Sequence, residues 1–175
     1  FRGIFENCKN ITSVKLPANA AVPAQCFKGC TSLSSLNSTT PGQFDFTTGI
    51  ASVGKNAFEG NEAVTSVKWS TGVAIPDGCF KNCTKLSTFN SDTPGQFNLA
   101  QIPSIGYSAF DNCKAISGAI DLSSCTTVGT QAFRYTGITS VKWSSSMEKI
   151  PQACFLGCTA LQSFNSDTPG VCDLT

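Results

Sequence analysis

Apolar and polar positions recur along this chain in one fixed order. Phenylalanines at 5, 27, 58, 80, 110, 133 and 155 are separated by 22, 31, 22, 30, 23 and 22 residues. An apolar residue opens each unit, often ahead of Gly or Pro, as in Val22-Pro23, Val53-Gly54, Ile75-Pro76, Ile105-Gly106, Val128-Gly129 and Ile150-Pro151. A small residue and the Phe come next, as in Ala57-Phe58, Ala109-Phe110 and Ala132-Phe133. Three residues after the Phe stands Cys8, Cys30, Asn61, Cys83, Cys113, Thr136 or Cys158. Apolar residues then follow at gaps of three and two: Ile11/Val14/Leu16, Val64/Val67/Trp69 and Ile138/Val141/Trp143. The last two of each triplet alternate with polar residues, which predicts a strand with one buried face. The Phe and the residue three later lie about one helical turn apart, which predicts a short helical or 3₁₀ segment on the opposite edge.

No such unit can bury its Phe and aliphatics alone, whereas stacked units share a continuous core. Residues 1–175 are therefore expected to form a single repeat solenoid of about seven units, with one parallel strand per repeat. The longer spacings carry an insertion beginning Asn-Ser-(Thr/Asp)-Thr-Pro-Gly, found at 37–42, 90–95 and, after the last Phe unit, at 165–170. Pro-Gly marks a turn, and Phe44-Asp45-Phe46 and Phe97-Asn98-Leu99 alternate apolar with polar. Each insertion is expected to turn back and dock on the core. Trp69 and Trp143 read as inward-facing.

This pattern, with its Ala-Phe, downstream Cys and paired strand aliphatics at a period near 23, resembles the BspA-like leucine-rich repeats, the Treponema-type class. The resemblance implies a right-handed β/α-type leucine-rich-repeat array. It also implies a non-enzymatic adhesion or recognition module of a surface or secreted protein, binding a protein, host-cell or extracellular-matrix ligand. The alternative is a structural spacer with no ligand of its own.

Composition narrows the functional classes. Hydrophobic residues make up 41% of the chain and include thirteen Phe, too many for intrinsic disorder. Charged residues are only 13%, and the net charge is +1, so no concentrated basic patch is available for a nucleic acid. No apolar run approaches the ~20 residues that span a bilayer, so membrane insertion of this segment is not expected. Histidine is absent, which removes the commonest general base and metal ligand. Gly-x-Ser-x-Gly, Walker and dinucleotide signatures are also missing, and the acids are scattered. No catalytic residue, metal or cofactor is expected. The chain starts at Phe1 without a signal-like segment, which reads as a piece of a longer protein.

Ten cysteines could indicate redox chemistry, but most fall in two columns of the repeat. Cys8, Cys30, Cys83, Cys113 and Cys158 share a slot with Asn61 and Thr136, and Cys26, Cys79 and Cys154 replace Ala. The reading preferred here is a buried ladder of small side chains with some hydrogen-bonding capacity. Disulfides between adjacent rungs, such as Cys8–Cys30 or Cys83–Cys113, are the alternative. Cys125 and Cys172 fit neither column.

Aligned units place Lys15, Asn37, Lys68, Asn90, Asp121, Lys142 and Asn165 in one outward column of the strand face, the candidate ligand-binding surface. Beside it run Ser13, Ser35, Ser66, Thr88, Ala119, Ser140 and Ser163, short enough for a partner to approach the sheet. The competing reading is a strand face kept polar for solubility. Asn10, Asn37 and Asn82 open N-glycosylation sequons. Neither terminal segment reads as the polar cap a repeat array needs, so self-association through the ends is a further expectation.

Overall fold

The computed structural model describes residues 1–175. Its strands are short and follow the order β1 Ser13–Val14, β2 Ala21–Val22, β3 Ser35–Leu36, β4 Gln43–Asp45, β5 Ser52–Val53, β6 Ser66–Lys68, β7 Thr88–Phe89, β8 Ser104–Ile105, β9 Ser117–Asp121, β10 Thr127–Val128, β11 Gly137–Lys142 and β12 Ser163–Phe164. Every pairing between them is parallel, as stacking of like units requires. The array has three edges: a principal strand face, a second short sheet and a ladder of Phe-bearing turns.

The turn edge corrects the expected helical or 3₁₀ segments, because the chain contains no helix. Backbone geometry supplies the reason. The residue two before each Phe (Gly3, Gln25, Asn56, Gly78, Ser108, Gln131, Ala153) has positive φ. So does the residue two after it (Asn7, Gly29, Gly60, Asn82, Asn112, Tyr135, Gly157). A left-handed residue every four positions forbids a helix. Six of the seven turns instead close through an i→i+3 backbone bond, such as Cys8 N–H to Phe5 O or Cys30 N–H to Phe27 O, and at Phe133 the Thr136 hydroxyl donates to the turn carbonyl. The left-handed residue at the third position of each turn is the mark of a type II turn, which favours Gly or Asn there. The Phe–Cys spacing of three is therefore the span of a β-turn.

These turns are also hydrogen-bonded rung to rung. Phe27 N–H donates to Ala57 O, Phe58 to Cys79 O, Phe80 to Ala109 O and Phe110 to Ala132 O, all at 2.9–3.1 Å. The seven Phe rings stack, with successive centroids 5.5–6.0 Å apart and interplanar angles of 17° or less. Just outside the ladder, the residues after each Phe run Glu6, Lys28, Glu59, Lys81, Asp111, Arg134 and Leu156, a column of alternating charge. Lys28 meets Glu59 at 3.1 Å, and the buried Asp111 is held by Arg134 through two hydrogen bonds and by Lys81 at 3.6 Å. Alternation of sign lets neighbouring rungs attract rather than repel one another along this edge.

On the second edge β2 pairs β5, while β8 pairs β10 and bridges to Ile75. Gly54, Gly106 and Gly129 follow its strands because a Cβ there would stand only 2.3–2.4 Å from a backbone nitrogen of the neighbouring rung.

The insertions dock as expected, burying Phe44, Phe46, Phe97 and Leu99. They do more than cover the core. β4 slots between β3 and β6, and Phe97 bridges to Phe89 and Cys172 to Phe164. Each insertion thus adds a rung to the strand face without adding one to the turn edge. Inward residues of all three edges form one continuous core that includes Trp69 and Trp143.

Candidate functional site

The strand face is built in register. Ser13 pairs Ser35, Ser66 pairs Thr88, Ala119 pairs Ser140, and Ser140 pairs Ser163, while Asp121 stands opposite Lys142. The insertions supply members that sequence alignment missed. Gln43 falls beside Ser66 and Asp45 beside Lys68. The available signal was the alternation of Phe44-Asp45-Phe46, which places Asp45 outward.

The candidate binding residues divide into two groups. Lys15, Asp121 and Lys142 are exposed and Lys68 is half-buried. Lys142 lies 3.4 Å from Asp121, and Lys68 lies 3.5 Å from Asp92. The Ser123 hydroxyl, helped by the Ser123 N–H and Lys142, holds the Asp121 carboxyl below the usual carboxylate range. These charges stay in water and can exchange their partners for a ligand.

Asn37, Asn90 and Asn165 behave differently. All three adopt left-handed backbone, with φ of 46–50°. Their side-chain oxygens accept the backbone N–H of Leu16, Trp69 and Trp143 at 2.7, 2.6 and 2.7 Å. At each, the chain leaves the strand for the Ser-x-Thr-Pro-Gly loop, and the carboxamide substitutes for the next strand bond. Asn37 also donates its side-chain amide to Thr48, so that sequon nitrogen is already engaged, whereas Asn82 uses only its Oδ1, accepting from Asn112.

The cysteine slot proves to be a hydrogen-bonding one. Cys30 Sγ donates to Phe5 O at 3.1 Å, Cys83 to Phe58 O at 3.2 Å, Cys113 to Phe80 O at 3.0 Å and Cys158 to Phe133 O at 3.1 Å. Asn61 in the same slot donates to Phe27 O at 2.7 Å. Each of these donors adds a second bond to a turn carbonyl of the preceding rung that already accepts its own turn's bond, except that Phe133 O takes its own turn's bond from the hydroxyl of Thr136, the slot's other occupant. All ten thiols are free, and only Cys172 is exposed. Burial pushes the Cys83 and Cys154 thiols up to about 12 and Cys125 to about 11, and raises Cys79 and Cys113 as well. Protonated thiols in the core are neither nucleophiles nor ligands. Cys125, outside both columns by sequence, is buried and donates to Ile102 O.

No group of three or more His, Cys, Asp or Glu is arranged to hold a metal ion. No helix is long and apolar enough to cross a membrane. At the ends of the array, Phe1, Ile4, Phe5, Leu156, Val171 and Leu174 are exposed.

Comparison with known proteins bears on this geometry. The family model for the BspA type leucine rich repeat region matches in six copies, over residues 2–98 and 95–169. Two solved structures are similar. One is a leucine-rich repeat protein from Bacteroides ovatus, with 21% identity and a TM-score of 0.62, covering 93% of this chain and 50% of that one. The other is a leucine-rich cell surface protein from Faecalibacterium prausnitzii, with 20% identity and a TM-score of 0.55, covering 92% of this chain and 49% of that one. The chain spans about half the length of each, and at these identities the likeness is one of fold. No curated protein matches the chain.

Proposed function

Because the chain belongs to the BspA-type leucine-rich repeat family, we propose that it is a non-catalytic recognition module of a surface or secreted protein, binding a protein ligand through its strand face. The observation that carries this reading is the in-register outward column, whose exposed charges at Lys15, Asp121 and Lys142 stand beside a column of small side chains. The other two edges offer less, since the turn edge commits most of its charges to the alternating ladder and the second edge is split into two separate two-stranded sheets. Placement at the cell surface is supported by the description of the Faecalibacterium structure as a cell surface protein. A panel of extracellular-matrix proteins and host-cell surfaces, tested by biolayer interferometry, examines the proposal. Lys68→Glu, Asp121→Lys and Lys142→Glu together are expected to abolish binding. Unchanged binding would remove the strand face and leave the spacer as the better account.

A further inference from the structure

The Phe spacings alternate between base and inserted units until residue 110, where two base units follow one another at 23 and 22 residues. The consequence is local. β9, β11 and β12 form the one stretch of strand face in which three rungs stand together without an insertion between them. They are also set apart from the rest. The pairing that joins β1, β3, β4, β6 and β7 stops at the Phe97 rung, and no backbone hydrogen bond links residues 95–101 to residues 117–122. A left-handed Gly118 with open space around it lies at this border, and on the other side of β9 Thr139 makes a bulge in β11. Bulges and unpaired edges of this kind end pairing and leave main-chain groups available. The outward residues here, Asn98, Ser117, Ala119, Asp121 and Lys142, are exposed, whereas Gln43, Asp45, Ser66 and Lys68 on the continuous sheet are half-buried.

The result is a groove of about 1170 Å³. Its floor is the small pair Ala119 and Ser140. Its walls are the Phe97–Leu99 rung, the Ser144–Glu148 loop and the Asn165–Asp167 loop of the last insertion. We infer that this groove is a docking trough for an extended peptide bearing basic side chains, an inference that rests on the strand-face reading above. Three features select that occupant. The floor is small enough for a main chain to lie against it, beside a strand edge that lacks a partner. Three carboxylates line it (Asp121, Glu148, Asp167) against one ammonium (Lys142), and Glu148 and Asp167 have no ion-pair partner. Trp143 and Phe164 contribute only buried rings, which leaves no aromatic platform on which a sugar could stack.

The test uses the whole chain and a fluorescein-labelled peptide of alternating Thr and Lys, chosen for its strand propensity, with an alternating Thr and Glu peptide as the control. Anisotropy titration is expected to detect the basic peptide and not the acidic one. Amide shifts in ¹⁵N-labelled protein are expected at Ala119–Asp121, Ser140–Ser145 and Asn165–Asp167. Ser140→Arg, which fills the floor from an outward position, should weaken binding at least about tenfold, as should Glu148→Lys with Asp167→Lys on exposed loops. Ser66→Arg, on the continuous part of the same face, should not. If Ser66→Arg weakens binding and Ser140→Arg does not, the groove is refuted while the strand face survives. Matrix-protein binding that persists while neither peptide binds below about 1 mM separates the two readings in the same way. Equal binding of both peptides, or capture of an oligosaccharide instead, overturns the assignment of a basic peptide.

Discussion

Asn90 is the sharpest place to test whether the asparagine column holds the scaffold or a ligand. Its side-chain oxygen accepts the Trp69 N–H at 2.6 Å, its own N–H donates to Val67 O, and its φ is 46°. Trp69 is 3% exposed, so its N–H finds no water once the carboxamide is removed. Asn90→Ala orphans that donor, at about 1–3 kcal/mol, and puts a Cβ without a compensating side chain in the left-handed region, at roughly 1 kcal/mol more. A loss of about 2–4 kcal/mol is expected. Asn90→Gly relieves the backbone but not the donor, and should cost about 1–2 kcal/mol less than Ala. Asn90→Asp keeps an acceptor and tolerates the conformation, so it should stay within about 1 kcal/mol of the parent. Urea unfolding midpoints measure the series, and hydrogen exchange at the Trp69 amide reads the bond itself. Its protection should fall in Ala and Gly and persist in Asp. Ala and Gly both lying within about 0.5 kcal/mol of the parent, with ligand binding lost, would refute the structural role and return Asn90 to the binding surface.

The buried thiols predict an alkaline limit. Where the folded pKa is raised above the unfolded value of 9.0, the unfolded chain releases its proton first. Stability is therefore full below pH 9 and falls from there towards about 12, the folded value for Cys83. Each such thiol contributes up to about 1.4 kcal/mol per pH unit, and Cys79 and Cys113 shift in the same direction. Urea midpoints that stay flat between pH 8 and 10 would contradict this. Asn61 uses its amide on Phe27 O but leaves its own Oδ1 buried without a partner. Asn61→Cys, which restores the slot's usual thiol donor, should leave thermal stability unchanged or raise it by about 1 kcal/mol. A comparable loss in a thermal melt would show that the column does not work as a donor ladder.

Much of the architecture is written in the Phe spacing, because only a stack explains an apolar order that no single unit can bury. The turn edge was less legible, since a spacing of three suits a 3₁₀ turn and a β-turn equally. What separates them is the residue between, and Asn7, Gly29, Gly60, Asn82, Asn112 and Gly157 occupy that position two after the Phe. Gly or Asn there is a signal for left-handed backbone that periodicity ignores. The cysteine slot was legible as small and polar because Asn61 and Thr136 share it. The acceptor used by the cysteines and Asn61, a carbonyl one rung away, depends on how rungs stack and cannot be read within a unit; only Thr136 bonds a carbonyl of its own turn. The asparagine column looked like surface because it falls on the outward phase of the strand. Its role depends on leaving the strand at that residue, and Ser-x-Thr-Pro-Gly immediately after it was the cue.

The insertions connect the fold to the face it presents. Between Phe27 and Phe58 the turn edge advances by one ring interval of 5.7 Å, while the strand face passes from β3 through β4 to β6. Those two intervals of about 4.8 Å each make the strand side of that wedge roughly 4 Å longer than its back. A second insertion between Phe80 and Phe110 repeats the wedge across one ring interval of 5.8 Å, and immediately beyond it the sheet's hydrogen bonding lapses. The rings cannot spread to follow, because they are tied rung to rung by backbone bonds and by the charge ladder that ends in the Asp111–Arg134 pair. Excess length on one edge is therefore released as a break on that edge, and the two base units that follow are left as an open floor. Removing residues 90–97 should close the break by eliminating the second wedge, joining β7 directly to β9. If a contact between the Phe89 and Ile120 amide protons stays absent in such a variant, with Thr88–Ala119 also unpaired, the break has its origin in β9 itself, opposite the bulge in β11, instead.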